Sequence, residues 1–255
     1  MKKNIVIIAL ILLCFISSSI CTVYAYNPLT AGITQISLLK SYKDISRNFL
    51  CINKMNNMAK KLSDDDKNTI TKYVFGAVKG ENTYLLMNCN LRNNLEQYIN
   101  PKDITVPLKS RMTYYSDSLS YSISKIKLPQ NMILYRGIDE KGVSSIFASQ
   151  DVKDLIYQPV SQENALKLKS KLIGAKYEEK GFMSTAYDIN YAKQTKFIFV
   201  VKAPKNLQGV LVDGLTASKS STKEVLVNKG YIWQVTDVTP VINRNYYKIG
   251  IKLVL

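Results

Sequence analysis

The spacing of apolar residues changes once along the chain, near Gly181, and this change constrains the fold more than any other feature. From Thr34 to about Leu172 the apolar residues recur mostly at the three- and four-residue spacing of helices. After Gly181, β-branched and aromatic runs alternate with turn residues, as they do in strands. Helices followed by strands predict an α+β fold with largely antiparallel sheets.

Local signals place the individual elements. Ser63 precedes three aspartates, which predicts a helix that starts there, because a serine cap and acidic side chains both stabilise a helix N-terminus. We also predict helices over residues 37–60, 89–98, 106–123 and 162–172, and strands over residues 132–136, 181–185, 196–202, 209–213, 224–227, 231–237 and 246–255.

The first 25 residues have the pattern of a secretory signal. Lys2 and Lys3 precede an apolar run over residues 5–20, and the small residues Val23 and Ala25 suit cleavage after Ala25. An uncleaved membrane anchor is the alternative, although a run of about 16 residues is short for a full span. The rest of the chain has neither repeats nor linkers. We therefore predict a signal peptide over residues 1–25, a single domain over residues 26–255, and secretion.

The net charge limits the kinds of partner that the protein could bind, and the cysteine count limits its disulfides. Cleavage takes Lys2 and Lys3 out of the 35 basic side chains and leaves 33 against 19 acidic ones, a net charge of +14. Such a surface attracts anions. Lysines are dispersed and no nucleic-acid-binding motif occurs, so we expect no nucleic-acid partner, no stable membrane insertion after cleavage, and a monomer. Cys51 and Cys89 would remain, either as a disulfide or as two buried thiols.

The sequence contains no histidine, which excludes whole classes of chemistry. Ser-His and Cys-His nucleophiles, histidine-ligated metals and imidazole proton shuttles all need this residue. Two remaining cysteines cannot build a four-cysteine metal site. Any catalysis must therefore use carboxylates, hydroxyls, lysine, arginine or tyrosine, and we expect no metal.

Three segments place a polar residue at the edge of an apolar strand. Arg136 and Gly137 follow the apolar run 132–135, and a guanidinium beside a glycine suits a phosphate group. Ser184 and Thr185 lie between apolar neighbours, and Glu224 opens the strand that follows a polar loop. Taken singly, each of these residues would usually be an ordinary surface or edge residue.

In this order, the three segments resemble the signature of bacterial mono-ADP-ribosyltransferase toxins: an arginine after a strand, then a Ser-Thr-Ser strand, then a Gln/Glu-x-Glu turn. The chain is most similar to the small clostridial exoenzymes that modify Rho GTPases, and residues 128–137 resemble the family's approach to its first core strand. The resemblance extends over about residues 35–255. It implies the toxin fold, with N-terminal helices packed on a core of two mainly antiparallel β-sheets.

The resemblance also implies roles for individual residues. Glu224 would stabilise the ribosyl cation, Ser184 would orient Glu224, and Thr222 stands where the family's acceptor-positioning Gln or Glu is found. The residues expected to bind the cofactor are Arg136, Gly137, Thr185, Tyr191, Lys193 and Asn82.

The sequence departs from the family pattern at several positions. Ala186 replaces the third residue of Ser-Thr-Ser, and the hydroxyl of Thr222 cannot act as a carboxylate base. Leu85 and Leu86 stand where relatives carry a helix arginine toward the cofactor, and Arg92 lies farther along the chain than that spacing requires.

The resulting expectation is a secreted enzyme that cleaves NAD⁺ and transfers ADP-ribose to a host protein in the host cytosol. A Rho-family GTPase is favoured as the target and actin is the other candidate. Two alternatives keep the fold: an NAD⁺ glycohydrolase and an actin- or arginine-directed transferase. A third alternative, from another class, is a non-catalytic basic binding protein.

Overall fold

The computed structural model describes residues 50–78, 81–192, 195–215 and 223–254, which fall within one compact unit. The predicted signal peptide, Lys193 and Thr222 lie outside the described residues. Within them, helices dominate the first half and strands the second, so the predicted α+β class is confirmed.

In the described residues, the helices fall into two groups, four before the first long strand and three after it. The first group consists of α1 (residues 50–60), α2 (Asp64–Phe75), α3 (Thr83–Leu91) and α4 (Val106–Ser124), and the second of α5 (Glu140–Ile146), α6 (Gln150–Ile156) and α7 (Gln162–Leu172).

Most of the strands follow α7. They are β1 (Ala77–Val78), β2 (Glu81–Asn82), β3 (Met132–Ile138), β4 (Lys176–Glu179), β5 (Met183–Ala186), β6 (Phe197–Ala203), β7 (Gly209–Leu211), β8 (Glu224–Val227), β9 (Tyr231–Val241) and β10 (Tyr246–Leu253). Short 3-10 turns cover Leu95–Gln97, Pro101–Asp103, Ile189–Tyr191, Val212–Gly214 and Ile242–Arg244.

Eight strands form a single sheet in the order β4-β9-β10-β6-β3-β5-β8-β7, and β1 and β2 form a separate hairpin. Strands β6 and β10 pair in parallel, while their neighbours in this sheet pair antiparallel. We predicted two sheets, but hydrogen bonding is continuous across the described strands. The pairing of β3 with β5 is limited to one residue pair, Tyr135 and Ala186.

Two apolar cores cover the sheet. One includes Phe199 and Trp233 and is packed with residues of α5, α6 and α7. The other joins residues of α2, α3 and α4, such as Met112, to Phe182 and Leu226. Along β8 the side chains alternate between the two cores, so this strand is covered on both faces and its position is fixed.

Local signals predicted some boundaries and missed others. Ser63 caps α2 by accepting a hydrogen bond from the backbone N–H of Asp66, as predicted. The helix predicted over residues 89–98 is wrong, because α3 runs over Thr83–Leu91 and the chain leaves the helix at Asn93, whose φ is 57°. Helices α5 and α6 and strand β4 were not predicted.

The two cysteines left open by the sequence are both free and buried. The Cys51 thiol contacts the sulfur of Met132 at 3.1 Å, and burial raises the pKa of each thiol to about 11. Within the described ranges, no helix is both long and apolar enough to cross a membrane.

Asp66 links α2 to α4. Its carboxylate, 5% exposed, accepts hydrogen bonds from Ser63 at 2.6 Å, from Ser122 at 2.8 Å, and from Lys125 at 2.8 Å to each oxygen. Burial alone would raise the pKa of Asp66, but the hydrogen bonds from Lys125, Ser63 and Ser122 outweigh it and hold the pKa below its ordinary value.

We predict that Asp66→Asn destabilises the protein at neutral pH by about 1–3 kcal/mol, because a buried hydroxyl and an ammonium lose their acceptor. A depressed folded-state pKa means that the folded state binds fewer protons than the unfolded one. The stabilisation is therefore present at neutral pH and lost as the pH falls through that pKa. Urea unfolding of the wild type and the variant, at neutral pH and at a pH below the folded-state pKa of Asp66, measures this difference in stability. Asp64→Asn, at an exposed i,i+3 pair with Lys67, is the control and should change little.

Candidate active site

A cleft of about 520 Å³ opens where α3, β3, β5 and β8 converge, and we call it the first cleft. It is lined by Tyr84, Leu85, Asn88, Arg92, Tyr135, Arg136, Gly137, Phe182, Ser184, Thr185, Ala186, Tyr191, Ala192 and Glu224. The three strand segments singled out in the sequence therefore meet at one place.

The pairing of β5 with β8 brings Ser184 to Glu224. Ala186 lies directly opposite Glu224 and Ser184 opposite Leu226, so Ser184 and Glu224 are diagonal neighbours on one face. The Ser184 hydroxyl is close enough to the Glu224 carboxylate to lower its pKa. Thr185 points to the opposite face and its buried hydroxyl donates to the Val225 carbonyl at 2.6 Å, so it fastens β5 to β8.

Glu224 is held in an environment that disfavours its charge. Burial raises its pKa, the Ser184 hydroxyl opposes this, and the nearby Asp213 carboxylate adds to it. A carboxylate that is kept partly desolvated interacts strongly with any cation that forms beside it.

The residue before Glu224 fixes how β8 begins. Lys223 has φ 54°, in the left-handed region that non-glycine residues rarely adopt. Its N–H donates to the Asp213 carboxylate at 3.0 Å, and its carbonyl accepts from the Tyr187 N–H at 3.0 Å. The Lys223 ammonium lies 5.9 Å from the centroid of the Tyr191 ring, at the edge of the first cleft.

Two arginines lie side by side in the cleft. Arg136 comes from β3, and Arg92 is the C-cap residue that directly follows α3. One buried carboxylate holds both: Glu179 accepts from Arg92 Nη2 at 2.7 Å and from Arg136 Nη1 at 3.0 Å. The side chains of the arginines are about one-third and one-fifth exposed, whereas that of Glu179 is 6% exposed.

Asn88 fastens α3 to the start of β5. Its amide donates to the Tyr73 hydroxyl at 2.8 Å and its oxygen accepts from the Phe182 N–H at 2.8 Å. A Cβ on Gly181 would lie 2.6 Å from that oxygen, so this close approach needs glycine.

A second cleft of about 1110 Å³ adjoins the first. Arg92 and Arg136 line both, whereas Glu179 lines only the second. The second cleft is also lined by Tyr98, Lys141, Lys176 and Lys180. The arginine pair is thus the wall that the two clefts share.

The structure places the predicted site residues unequally. Arg136, Gly137, Ser184, Thr185, Tyr191 and Glu224 all line the first cleft. Asn82 does not; it is exposed, ends β2 and precedes α3.

The sequence analysis did not identify Asn88 or Glu179, and it set Arg92 aside as too far along the chain. Asn88 and Arg92, with Leu85, have the i, i+3, i+7 spacing of one helical face. The helix had been placed six residues too late, so this face was not recognised. Glu179 carries no local signal, because its partners are 87 and 43 residues away.

Comparison with known proteins identifies the family. A sequence model described as ADP-ribosyltransferase exoenzyme matches residues 51–255. The chain belongs to this family. ADP-ribosyltransferase exoenzymes use NAD⁺ as the donor of ADP-ribose, so the predicted NAD⁺-dependent transferase class is confirmed. No curated protein matches the chain.

Solved structures show the same fold. C3stau2 from S. aureus with NAD has a TM-score of 0.64 at 20% identity, covering 83% of this chain and 96% of its own. The C. perfringens binary enterotoxin component BECa, with NADH, has a TM-score of 0.63 at 20% identity over 82% of this chain and 48% of BECa. The Clostridium limosum C3 exoenzyme has a TM-score of 0.59 at 20% identity, over 83% of this chain and 95% of its own.

The part of the exoenzyme domain that the structure describes contains no group of three or more Cys, Asp or Glu side chains placed to hold a metal ion.

We predict that Glu224→Gln raises the thermal unfolding midpoint at neutral pH. The raised pKa means that the folded protein binds the Glu224 proton more tightly than the unfolded chain does. The charged carboxylate therefore lowers the stability of the folded protein once the pH exceeds the ordinary pKa of a glutamic acid. Glutamine keeps the shape and a partner for Ser184 without the charge. The gain should shrink as the pH falls below the raised pKa of folded Glu224 and should be lost near about 4.3, the ordinary pKa of a glutamic acid. Calorimetry across this range checks the prediction, and a variant less stable than wild type at neutral pH would contradict it.

Proposed function

We propose that this exoenzyme is a secreted mono-ADP-ribosyltransferase that transfers ADP-ribose from NAD⁺ to a host protein, with Glu224, Ser184 and Thr222 at the catalytic centre. The observation that carries the proposal is that Ser184 and Glu224 lie on one face of neighbouring strands, in a cleft that a pair of arginines also lines. Glu224 would stabilise a cation in this cleft, and the two arginines would bind phosphate groups.

Glu224 would act on the ribose. Breaking the nicotinamide–ribose bond leaves positive charge on the sugar, and a carboxylate about 4 Å away contributes about 4 kcal/mol at an effective dielectric of about 20. Ser184, its diagonal neighbour on β5, would orient the carboxylate, so little reorganisation is needed when the charge develops. No imidazole is required, which agrees with a chain that has no histidine.

The arginine pair would hold the diphosphate. Guanidinium groups bind phosphate oxygens through parallel N–H donors, and each arginine uses one Nη on Glu179, which leaves other donors for a ligand. A diphosphate at this shared wall leaves the nicotinamide half to the first cleft and the adenosine half to the second. Gly137, Thr185 and Tyr191 line the first cleft and contribute to this binding. Arg92 takes the role of the helix arginine that the resemblance places at Leu85 and Leu86. The resemblance assigns Lys193 a further basic contact with the cofactor.

The expected target is a Rho-family GTPase, because the sequence resembles exoenzymes that modify Rho GTPases. Thr222 stands where the family places its acceptor-positioning residue, and a threonine hydroxyl is shorter than a Gln or Glu side chain. This substitution keeps two alternatives with the same fold in view: actin or another arginine-bearing target, and hydrolysis of NAD⁺ without transfer.

We predict that Glu224→Gln lowers the rate of nicotinamide release from NAD⁺ by about 100- to 1,000-fold, because the charge that stabilises the transition state is removed. Affinity for NAD⁺ should change little, since the arginines are intact. Labelled NAD⁺ and a eukaryotic lysate provide the assay. Glu163→Gln, at an exposed pair with Lys167, is the matched control and should keep full activity. Wild-type activity in Glu224→Gln would rule out the proposed role of Glu224.

The acceptor can be identified by mass spectrometry of the labelled host protein. We expect ADP-ribose on an asparagine of a Rho-type GTPase. Modification of an actin arginine would instead place the chain with the actin-directed transferases. Nicotinamide release without a labelled protein would establish a glycohydrolase. An absence of both would leave the non-catalytic basic binding protein.

A further inference from the structure

We infer that Glu179 is the positioning residue of the NAD⁺ site: it sets the direction and spacing of Arg92 and Arg136 and thereby builds the diphosphate grip. The inference rests on the proposed function, because it assigns the arginine pair to the diphosphate. Glu179 itself would not touch NAD⁺ and would act through the two guanidinium groups.

The contacts of Glu179 are divided between its two carboxylate oxygens. Oε1 accepts from Arg92 at 2.7 Å and from the Gly181 N–H at 3.0 Å, and Oε2 accepts from Arg136 at 3.0 Å. The residue is 5% exposed, so water cannot replace these donors freely. Charge-assisted hydrogen bonds of this length fix the orientation of a planar guanidinium.

The position of Glu179 relative to the clefts gives the arginines their direction. Both arginines line the first and the second cleft, whereas Glu179 lines only the second. The carboxylate therefore binds the pair from the side away from Ser184 and Glu224. The guanidinium donors it does not use remain available along the wall that a diphosphate would cross.

Glu179 also sets the relative position of three elements. It ends β4, Arg136 lies on β3, and Arg92 directly follows α3. Two residues further on, the Gly181 backbone lies against Asn88, and the Phe182 N–H donates to the same side chain. The segment from Glu179 to Phe182 thus joins the helix that carries one arginine to the strand that carries Ser184.

Charge makes this arrangement possible. Two guanidinium groups that are only one-fifth to one-third exposed repel each other, and one carboxylate between them leaves a net charge of +1. Burial lowers the pKa of Arg92, but the charge of Glu179 and its hydrogen bond outweigh burial and raise that pKa. Without the carboxylate, the two guanidinium groups would move apart toward water, and the distance between them would no longer suit a diphosphate.

Titration calorimetry of the full chain with two ligands tests the inference. ADP-ribose contains the diphosphate, whereas nicotinamide does not. Glu179→Gln should bind ADP-ribose about tenfold or more weakly than wild type while its affinity for nicotinamide is unchanged, because only the phosphate grip is disturbed. Glu163→Gln is the matched control, with an exposed carboxylate paired to Lys167, and should bind both ligands as the wild type does.

A double-mutant cycle separates positioning from a general loss of structure. If Glu179 acts through the arginines, Glu179→Gln costs less ADP-ribose affinity in an Arg92→Gln background than in the wild type. Fully additive losses, equal weakening of both ligands, or unchanged ADP-ribose affinity in Glu179→Gln would each overturn the inference.

A second variant covers the case in which Glu179→Gln does not fold. Glu179→Asp keeps the charge but is one methylene shorter, so it cannot hold both guanidinium groups at these distances. It should bind ADP-ribose more weakly than wild type and nicotinamide equally well; wild-type ADP-ribose affinity would contradict the inference.

A wild-type protein that binds ADP-ribose but neither releases nicotinamide nor labels a protein would refute the proposed function alone. A wild-type protein that does not bind ADP-ribose would refute the inference.

Discussion

The site depends on one buried carboxylate that holds two arginines. Glu179 joins Arg92 from the helical half of the chain to Arg136 from the first long strand. Removing one partner of a buried ion pair is costly because the other charge is left without compensation. The two halves of the site therefore keep a fixed spacing, and every ligand contact made by the arginines depends on it.

Around this ion-pair cluster the chain separates two kinds of charge. The cationic pair faces the first cleft from one wall, and Glu224, with its pKa raised by burial, faces it from another. A dinucleotide needs both, since its diphosphate is anionic and its ribose becomes cationic during cleavage. The fold supplies this separation by placing the arginines at the end of α3 and on β3 and the carboxylate at the start of β8.

The same arrangement shows a conflict between stability and activity. Asp66 is a buried carboxylate with a full set of donors and a lowered pKa, and it stabilises the packing of α2 on α4. Glu224 is also largely removed from water, but its raised pKa shows that its charge is under-compensated in the unliganded protein. A cationic intermediate would provide the missing compensation. Strain of a similar kind is present next to it, where Lys223 adopts a left-handed backbone.

The sequence by itself determined the α+β class, the strands that carry Arg136, Ser184 and Glu224, and the family. These follow from local patterns, because strand alternation and turn residues act over a few neighbours. Only the tertiary structure decided that the eight strands form one sheet with a parallel β6–β10 pair, and that Asn88 and Arg92 face the first cleft while Asn82 does not. The physical reason is that these features depend on contacts between distant segments. The two bonds from Glu179 to its arginines span 87 and 43 residues, and no local pattern records them.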